Sequence, residues 1–353
     1  MTKPSGPPSK ASASKMSFLV PIVGPIIVAS TGYAMWKVQW ATLLKAFFTG
    51  PGRLQRIFFL LFALFNWKNM PFAWTARVFY AAYYHHFIRR APTLGPRSLF
   101  APVISHSRAA LLEIDYNVHK SNSTYFADLD VSRTHLVSYI CGPGLRSVYK
   151  NKATQLVIDP RTQKPAIGKL GIILGGVHCS FHKEISPYTT FEMWSRVLAW
   201  DRKWLYIVTH YVPSGLGRPS EWLDPRFGRW NRNAGKEPAK DWEKKIYATA
   251  VSKYVFKIGR LTIHPALILG ESGLLPERPG GWLNDNPASG NGEVVQNGDV
   301  ADLRAYGDEW DWHQVEQRRL EGMKFAERFH SMDSLQMAFD GGQGPVVGRF
   351  GPG

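Results

Sequence analysis

A chain of 353 residues can bury one large or two ordinary domains without covalent staples. Its two cysteines, Cys141 and Cys179, lie in no CxxC pair, which excludes a disulfide framework and a cysteine-built zinc site and fits a reducing compartment. The net charge of +16 would suit a nucleic-acid binder, but the basic residues are scattered and no groove-reading motif occurs, so nucleic acid is not an expected partner.

Residues 1–16, rich in Pro, Ser and Lys, predict a disordered tail. The uncharged run 17–36, "SFLVPIVGPIIVASTGYAMW", has the length a helix needs to cross a hydrocarbon core of roughly 30 Å. It ends in Tyr33 and Trp36, which suit the membrane interface. A single-pass membrane helix is the expectation. A cleaved signal peptide or a buried helix interrupted by Pro21 and Pro25 are the alternatives, and lysines on both sides leave its orientation open. Residues 37–98 form an expected membrane-proximal amphipathic helical region. Its apolar burst Ile57–Phe65 is too short to span alone, and "ARVFYAAYYHHFIRR" reads equally as a surface helix or a core helix.

"APTLGPRSLFAP" marks a boundary, and residues 99–270 are expected to form one α+β unit. "VISHSRAALLEI" reads as a strand and "YNVHKS" as a turn. "NSTYFADLDVSRTHLVSYI" reads as a helix, with Tyr125, Leu129, Leu136 and Ile140 on a helical period and Ser121 or Asn122 as N-cap. "KLGIILGGVHCSFHKEI", "TTFEMWSRVLAW" and "KWLYIVTHYV" read as strands, the last two joined by a tight hairpin at Asp201–Arg202. Residues 213–245 read as a surface insertion and "YVFKIGRLTIHPALIL" as one more strand. Residues 271–308 are a Gly/Asn-rich linker and 309–353 an amphipathic helix and tail. One strand, a long helix and four further strands form the order expected if an antiparallel sheet wraps around a single helix.

Several chemistries lack their residues. No GxSxG occurs, and Cys141 reads as a buried helix-end thiol. His178 and His182 would lie roughly 13 Å apart on a strand, too far to share an ion, so no metal is expected. Neither GxGxxG after a strand nor GxxxxGK[ST] occurs, and no cofactor is expected. What remains is "DYNVHKSN". Asp115 ends a strand as a candidate nucleophile or general base, and His119 follows in the turn, able to donate a hydrogen bond or orient water. Unpaired N–H groups near Ser123 and Thr124 could polarise a carbonyl oxygen. The residues equally allow a polar turn in which Asp115 accepts N–H bonds and Asn122 caps the helix.

"LEIDYNVHKSNSTYFADLDVSRTHLV" resembles the D-x-x-[GL]-H-[VM]-N-N-x-x-Y signature of hotdog-fold acyl thioesterases. The likeness is greatest to the subgroup of thioesterase superfamily member six and its fungal relatives. Asp115, His119, Asn122 and Tyr125 fall on the aspartate, histidine, second asparagine and tyrosine. "FEMWSRVLAWD" is similar to that subgroup's hairpin. Val118 stands where bacterial members carry Gly, and Ser121 where they carry the first asparagine. The resemblance covers roughly residues 100–270. It implies an α+β hotdog fold, a homodimer, and hydrolysis of an acyl-CoA or acyl-carrier thioester in fungal secondary-metabolite or lipid metabolism. A non-catalytic acyl-binding protein at an intracellular membrane is the alternative. Catalysis would fall to Asp115 and His119, and substrate binding to Asn122, Ser123, Thr124 and Tyr125. With the N-terminal span, the expected place is an intracellular membrane such as the endoplasmic reticulum, with membrane lipid as a further partner.

Overall fold

A computed structural model describes residues 30, 33, 36–92, 94–230, 240–283 and 310–338. The expected tail 1–16, all of the expected span 17–36 except Ser30, Tyr33 and Trp36, and most of the linker and C-terminal tail lie outside the described residues. Among the described residues no helix is long and apolar enough to cross a membrane.

The chain divides into two compact units, Met1–Phe65 and Asn66–Gly353. In the first, helices α1 (Trp40–Thr49) and α2 (Arg53–Phe65) bury no residue. Their turn is knitted by Arg56, whose guanidinium donates to the carbonyls of Phe47, Pro51, Ala46 and Gly50 at 2.7–3.2 Å, satisfying acceptors that the end of α1 would otherwise leave to water. Leu43, Leu44, Phe48, Leu54, Phe58 and Phe59 stay exposed.

The second unit begins with a short 3-10 turn, Trp67–Asn69, and helix α3 (Ala73–Tyr83), which runs into a π-helical turn at Tyr84–Ile88. Strand β1 (Val103–Arg108) follows, then the central helix α4 (Tyr125–Ile140) and the helices α5 (Gly142–Tyr149) and α6 (Asn151–Thr154). A small ribbon pairs β2 (Ile158–Asp159) with β3 (Lys164–Pro165). The long strands β4 (Leu170–Phe181), β5 (Thr190–Trp200), β6 (Trp204–Pro213) and β7 (Ala248–Ile258) precede the short β8 (Leu261–Ile263). Helices α7 (Pro265–Glu271) and α8 (Trp312–Ser331) complete the unit. The main sheet runs β1-β5-β6-β7-β4, with β8 on β7, and each pairing is antiparallel.

Alternation in β5 decides what each face of the sheet covers. Phe191, Met193 and Val197 point to one side, where Tyr125, Leu129, Leu136, Val137 and Ile140 of α4 share their apolar clusters. A bulge between Val197 and Ala199 turns both Leu198 and Ala199 to the other face, where they meet Ala326 of α8. Gly322 lets α8 approach this closely, since a Cβ there would stand 2.1 Å from the Leu198 carbonyl oxygen. The central helix is thus packed along its length by an antiparallel sheet, the α+β hotdog arrangement that the resemblance implied. Between the two apolar clusters runs a chain of hydroxyls from Ser105 through Ser132 and Ser195 to Thr209, with steps of 2.8, 2.8 and 2.7 Å. Each buried hydroxyl in it thereby keeps a partner.

Three expectations change. The strand read over "VISHSRAALLEI" ends at Arg108. Beyond it Glu113 folds back to accept from the Ala110 N–H at 3.2 Å, making a 3-10 turn at Leu111–Glu113. "YVFKIGRLTIHPALIL" is not one strand. Gly259, at φ +59°, reverses the chain into β8, and Pro265 at the first turn starts α7 with the His264 side chain accepting from the Ala266 N–H. The described part of the 213–245 segment before residue 231 is anchored at Asp224, which is buried and accepts from the Tyr139 hydroxyl of α4 and from Arg226.

Candidate active site

The stretch after the 3-10 turn closes on itself as a hairpin. Ile114 pairs with Lys120 as an isolated antiparallel bridge. Inside it the Asp115 N–H donates to the His119 carbonyl and the Val118 N–H to the Asp115 carbonyl, both at 3.0 Å. Such a three-residue loop needs a left-handed residue at its end, and Val118 supplies it at φ +63°. The Asp115 Oδ1 accepts from the Asn117 N–H at 2.9 Å, so the turn-stabilising reading of Asp115 holds for one oxygen. The other, Oδ2, faces the His119 Nδ1 at 3.6 Å, and both side chains are about one-fifth exposed, at 21% and 20%.

The helix start follows within three residues. Asn122–Thr124 form a 3-10 turn, and the Thr124 N–H and hydroxyl both donate to the Ser121 carbonyl. The expected side-chain cap by Ser121 or Asn122 is absent: Ser121 precedes the 3-10 turn without capping it, Asn122 is the first residue of that turn, and Thr124, which precedes α4, does not cap it either. The Asn122 and Ser123 backbone N–H groups therefore have no protein acceptor among the described residues, and both residues are exposed. Tyr125 points away from them. It is 2% exposed, its ring lies against Phe181 and Tyr211, and its phenol is pushed above the usual range, chiefly by burial. Cys141 is fully buried at the end of α4, its thiol pushed up to about 12 by burial alone. Among the described residues no cluster of ligands could hold a metal ion.

Beneath the turn lies a buried ion network that the motif reading did not anticipate. Lys120 donates to Glu113 at 2.9 Å and to Asp128 of α4 at 3.0 Å, joining the two flanks of the turn to the central helix. Lys68 repeats both contacts at 2.8 and 3.0 Å, and Arg77 of α3 binds the second Asp128 oxygen at 2.8 Å. Ser107 of β1 also donates to Asp128, at 3.0 Å. Burial pushes the Asp128 carboxyl up, but Lys120, Lys68 and Arg77 outweigh it and hold the group well below the usual carboxylate range. Burial is also the main cause of the lowered Lys68 ammonium. A sequence signal existed for part of this network. Asp128 sits three residues after Tyr125 and four before Ser132, on the buried face of α4.

A model of the thioesterase-like superfamily matches residues 110–218, which include the turn, α4 and the β5–β6 hairpin. Thioesterase poxG of Penicillium oxalicum is 36% identical over 292 residues, covering 80% of this chain and 86% of the relative. Thioesterase lcsJ of Purpureocillium lilacinum is 32% identical over 298 residues, covering 75% and 86%. Probable thioesterase atnL of Emericella nidulans is 31% identical over 304 residues, covering 82% and 90%.

Proposed function

The chain belongs to the thioesterase-like superfamily and is a thioester hydrolase, and we propose that it cleaves the acyl thioester of coenzyme A or of an acyl carrier at the Asp115–His119 turn. The observation that carries this reading is the Asp115 Oδ2 beside His119, three residues before a helix start with two uncommitted N–H groups. Asp115 takes a proton from the water that attacks the carbonyl carbon, or attacks that carbon itself to form an acyl anhydride that water then cleaves to acid and free Asp115, while the Asn122 and Ser123 N–H groups receive the negative charge that grows on the carbonyl oxygen. Collapse of the tetrahedral species expels the thiolate. A positioned general base contributes on the order of 10²–10⁴ in rate and an oxyanion donor about 10²–10³, so both parts matter.

The test is thiol release by the full chain from saturated acyl-CoAs of short to long chain. Asp115→Asn, which keeps the size and the turn hydrogen bond but removes the charge, is expected to lower kcat/KM at least ~100-fold. Equal rates for wild type and variant would remove Asp115 from the chemistry.

Membrane attachment and dimerisation complete the proposal, with an intracellular membrane as the site of action. The apolar run 17–36 and the exposed Leu and Phe side chains of α1 and α2 support attachment. The edge strand β4, with Ile172, Ile173 and Leu174 partly exposed, supports pairing with a second copy. Flotation with anionic vesicles and sedimentation in detergent test the two attributes. A chain that neither floats nor exceeds monomer mass would lack both.

A further inference from the structure

His119 has a second carboxylate partner, from a distant part of the chain. Its Nε2 faces Glu184 Oε1 at 3.7 Å, while its Nδ1 faces Asp115 Oδ2 at 3.6 Å and the Lys120 carbonyl oxygen at 3.5 Å. Glu184 follows β4 in a segment pinned on both sides. The His182 and Lys183 N–H groups donate to the Tyr247 carbonyl at 2.8 and 3.0 Å, and the Lys120 N–H donates to the carbonyl of fully buried Ile185 at 2.8 Å. The side chain itself is 76% exposed, and His119 is its one ionic partner among the described residues. A fixed backbone therefore holds an otherwise uncommitted carboxylate at the outer nitrogen of the site histidine.

We propose that Glu184 is a positioning residue that sets the tautomer and orientation of His119. The proposal rests on the Asp115–His119 reading above. A neutral imidazole carries one N–H, and three acceptors compete for it: Glu184 at Nε2, and Asp115 with the Lys120 carbonyl at Nδ1. If the proton sits on Nδ1, it lies between the Asp115 carboxylate and the Lys120 carbonyl, and the ring cannot take a further proton from Asp115 at that nitrogen. If it sits on Nε2, it points at the Glu184 carboxylate, a charge-assisted partner that offsets the pull of Asp115 on Nδ1, and the Nδ1 lone pair is left to receive a proton from Asp115. The second arrangement closes the proton cycle. Water gives a proton to Asp115 as its oxygen bonds to the carbonyl carbon, and Asp115 hands that proton to Nδ1. The C–S bond then breaks with its electron pair on sulfur, and the imidazolium returns the proton to the thiolate through Asp115. Acid and thiol leave, and the ring is again protonated on Nε2 alone. While doubly protonated, the ring lies between two carboxylates, which is the role an orienting carboxylate plays behind a catalytic histidine. The present separations exceed hydrogen-bond length by a few tenths of an ångström, a gap that unliganded sites commonly close when substrate binds.

The test uses the full chain, with Glu184→Gln, Glu184→Asp and Asp115→Asn compared with wild type in the same thiol-release assay, and nitrogen NMR of the His119 ring. Glu184→Gln is expected to lower kcat about tenfold with KM and thermal midpoint unchanged, less than a buried orienting group would, because water screens an exposed carboxylate. Glu184→Asp should recover most of that loss. The wild-type ring should show the Nε2–H form and Glu184→Gln a shift toward Nδ1–H. Wild-type kcat in Glu184→Gln, or an Nδ1–H ring in wild type, would overturn the assignment. If Glu184→Gln is unaffected while Asp115→Asn is inactive, the Glu184 role alone is lost. If Asp115→Asn is as fast as wild type, the site reading falls and this role falls with it.

Discussion

Val118 holds a left-handed backbone, φ +63°, with its side chain 67% exposed, so the β-branched group meets the strain of that region without a packing gain. The left-handed conformation costs a non-glycine residue about 1–2 kcal/mol, and the extra freedom of glycine in the unfolded chain costs roughly 0.5–1 kcal/mol. Val118→Gly is therefore expected to raise unfolding stability by about 0.5–1 kcal/mol, read as a higher denaturant midpoint at unchanged slope. A lower midpoint would show that the valine side chain contributes a contact. The sequence displayed this position only as a departure from a motif, because φ is not written in residue type. Asp115 and His119 were legible because four residues separate them inside one turn. Glu184 was not, since one backbone hydrogen bond, from the Lys120 N–H to the Ile185 carbonyl, brings it to the histidine from 65 positions away.

Among the elements, α4 and the β5–β6 hairpin were readable because their apolar residues keep a helical or an alternating period. The docking of α8 on the outer face was not, for it depends on a bulge at Leu198 and on the missing side chain of Gly322. The junction of the turn with α4 was hidden for another reason, since buried charges look like surface residues until their partners are known. Asp128 accepts from Lys68, Arg77 and Lys120, and Glu113 is the only other carboxylate facing these lysines among the described residues. Asp128→Asn would leave three buried or half-buried cations facing one anion, and breaking such a network by removing one partner costs about 3–5 kcal/mol. Chemical denaturation of the variant should show a loss of that size, and a loss below ~1 kcal/mol would mean that the cations find water or other partners. The sign with pH follows from the lowered carboxyl. Its stabilisation is fully present above the unfolded carboxylate value of 3.8 and is lost as pH falls below it toward the lower folded value.

At the scale of the whole molecule, acid should act first at a pair of histidines rather than at the carboxylates. His135 of α4 and His85 of the π-helical turn after α3 meet at 2.9 Å, with the Tyr139 ring against His85. Burial, then the nearby His85 and Arg77, pushes His135 down to about 4, and burial likewise lowers His85. A base whose folded value lies below its unfolded value of 6.5 binds fewer protons folded than unfolded, so stability declines as pH falls from 6.5 toward about 4. The net charge of +16 grows in the same interval as other groups titrate, and self-repulsion alone would also lower stability. The two causes separate by salt, because repulsion between exposed charges is screened within about 10 Å at 0.1 M, whereas protonation of a buried ring is not. Calorimetry of the full chain from pH 7 to pH 4 should show a thermal midpoint that declines through this window at both low and high salt. His135→Gln, which keeps a hydrogen-bonding group but cannot take up the proton, should flatten that decline. If the variant falls as steeply as the wild type, or if salt alone abolishes the slope, surface repulsion rather than the buried pair governs the acid limit of the fold.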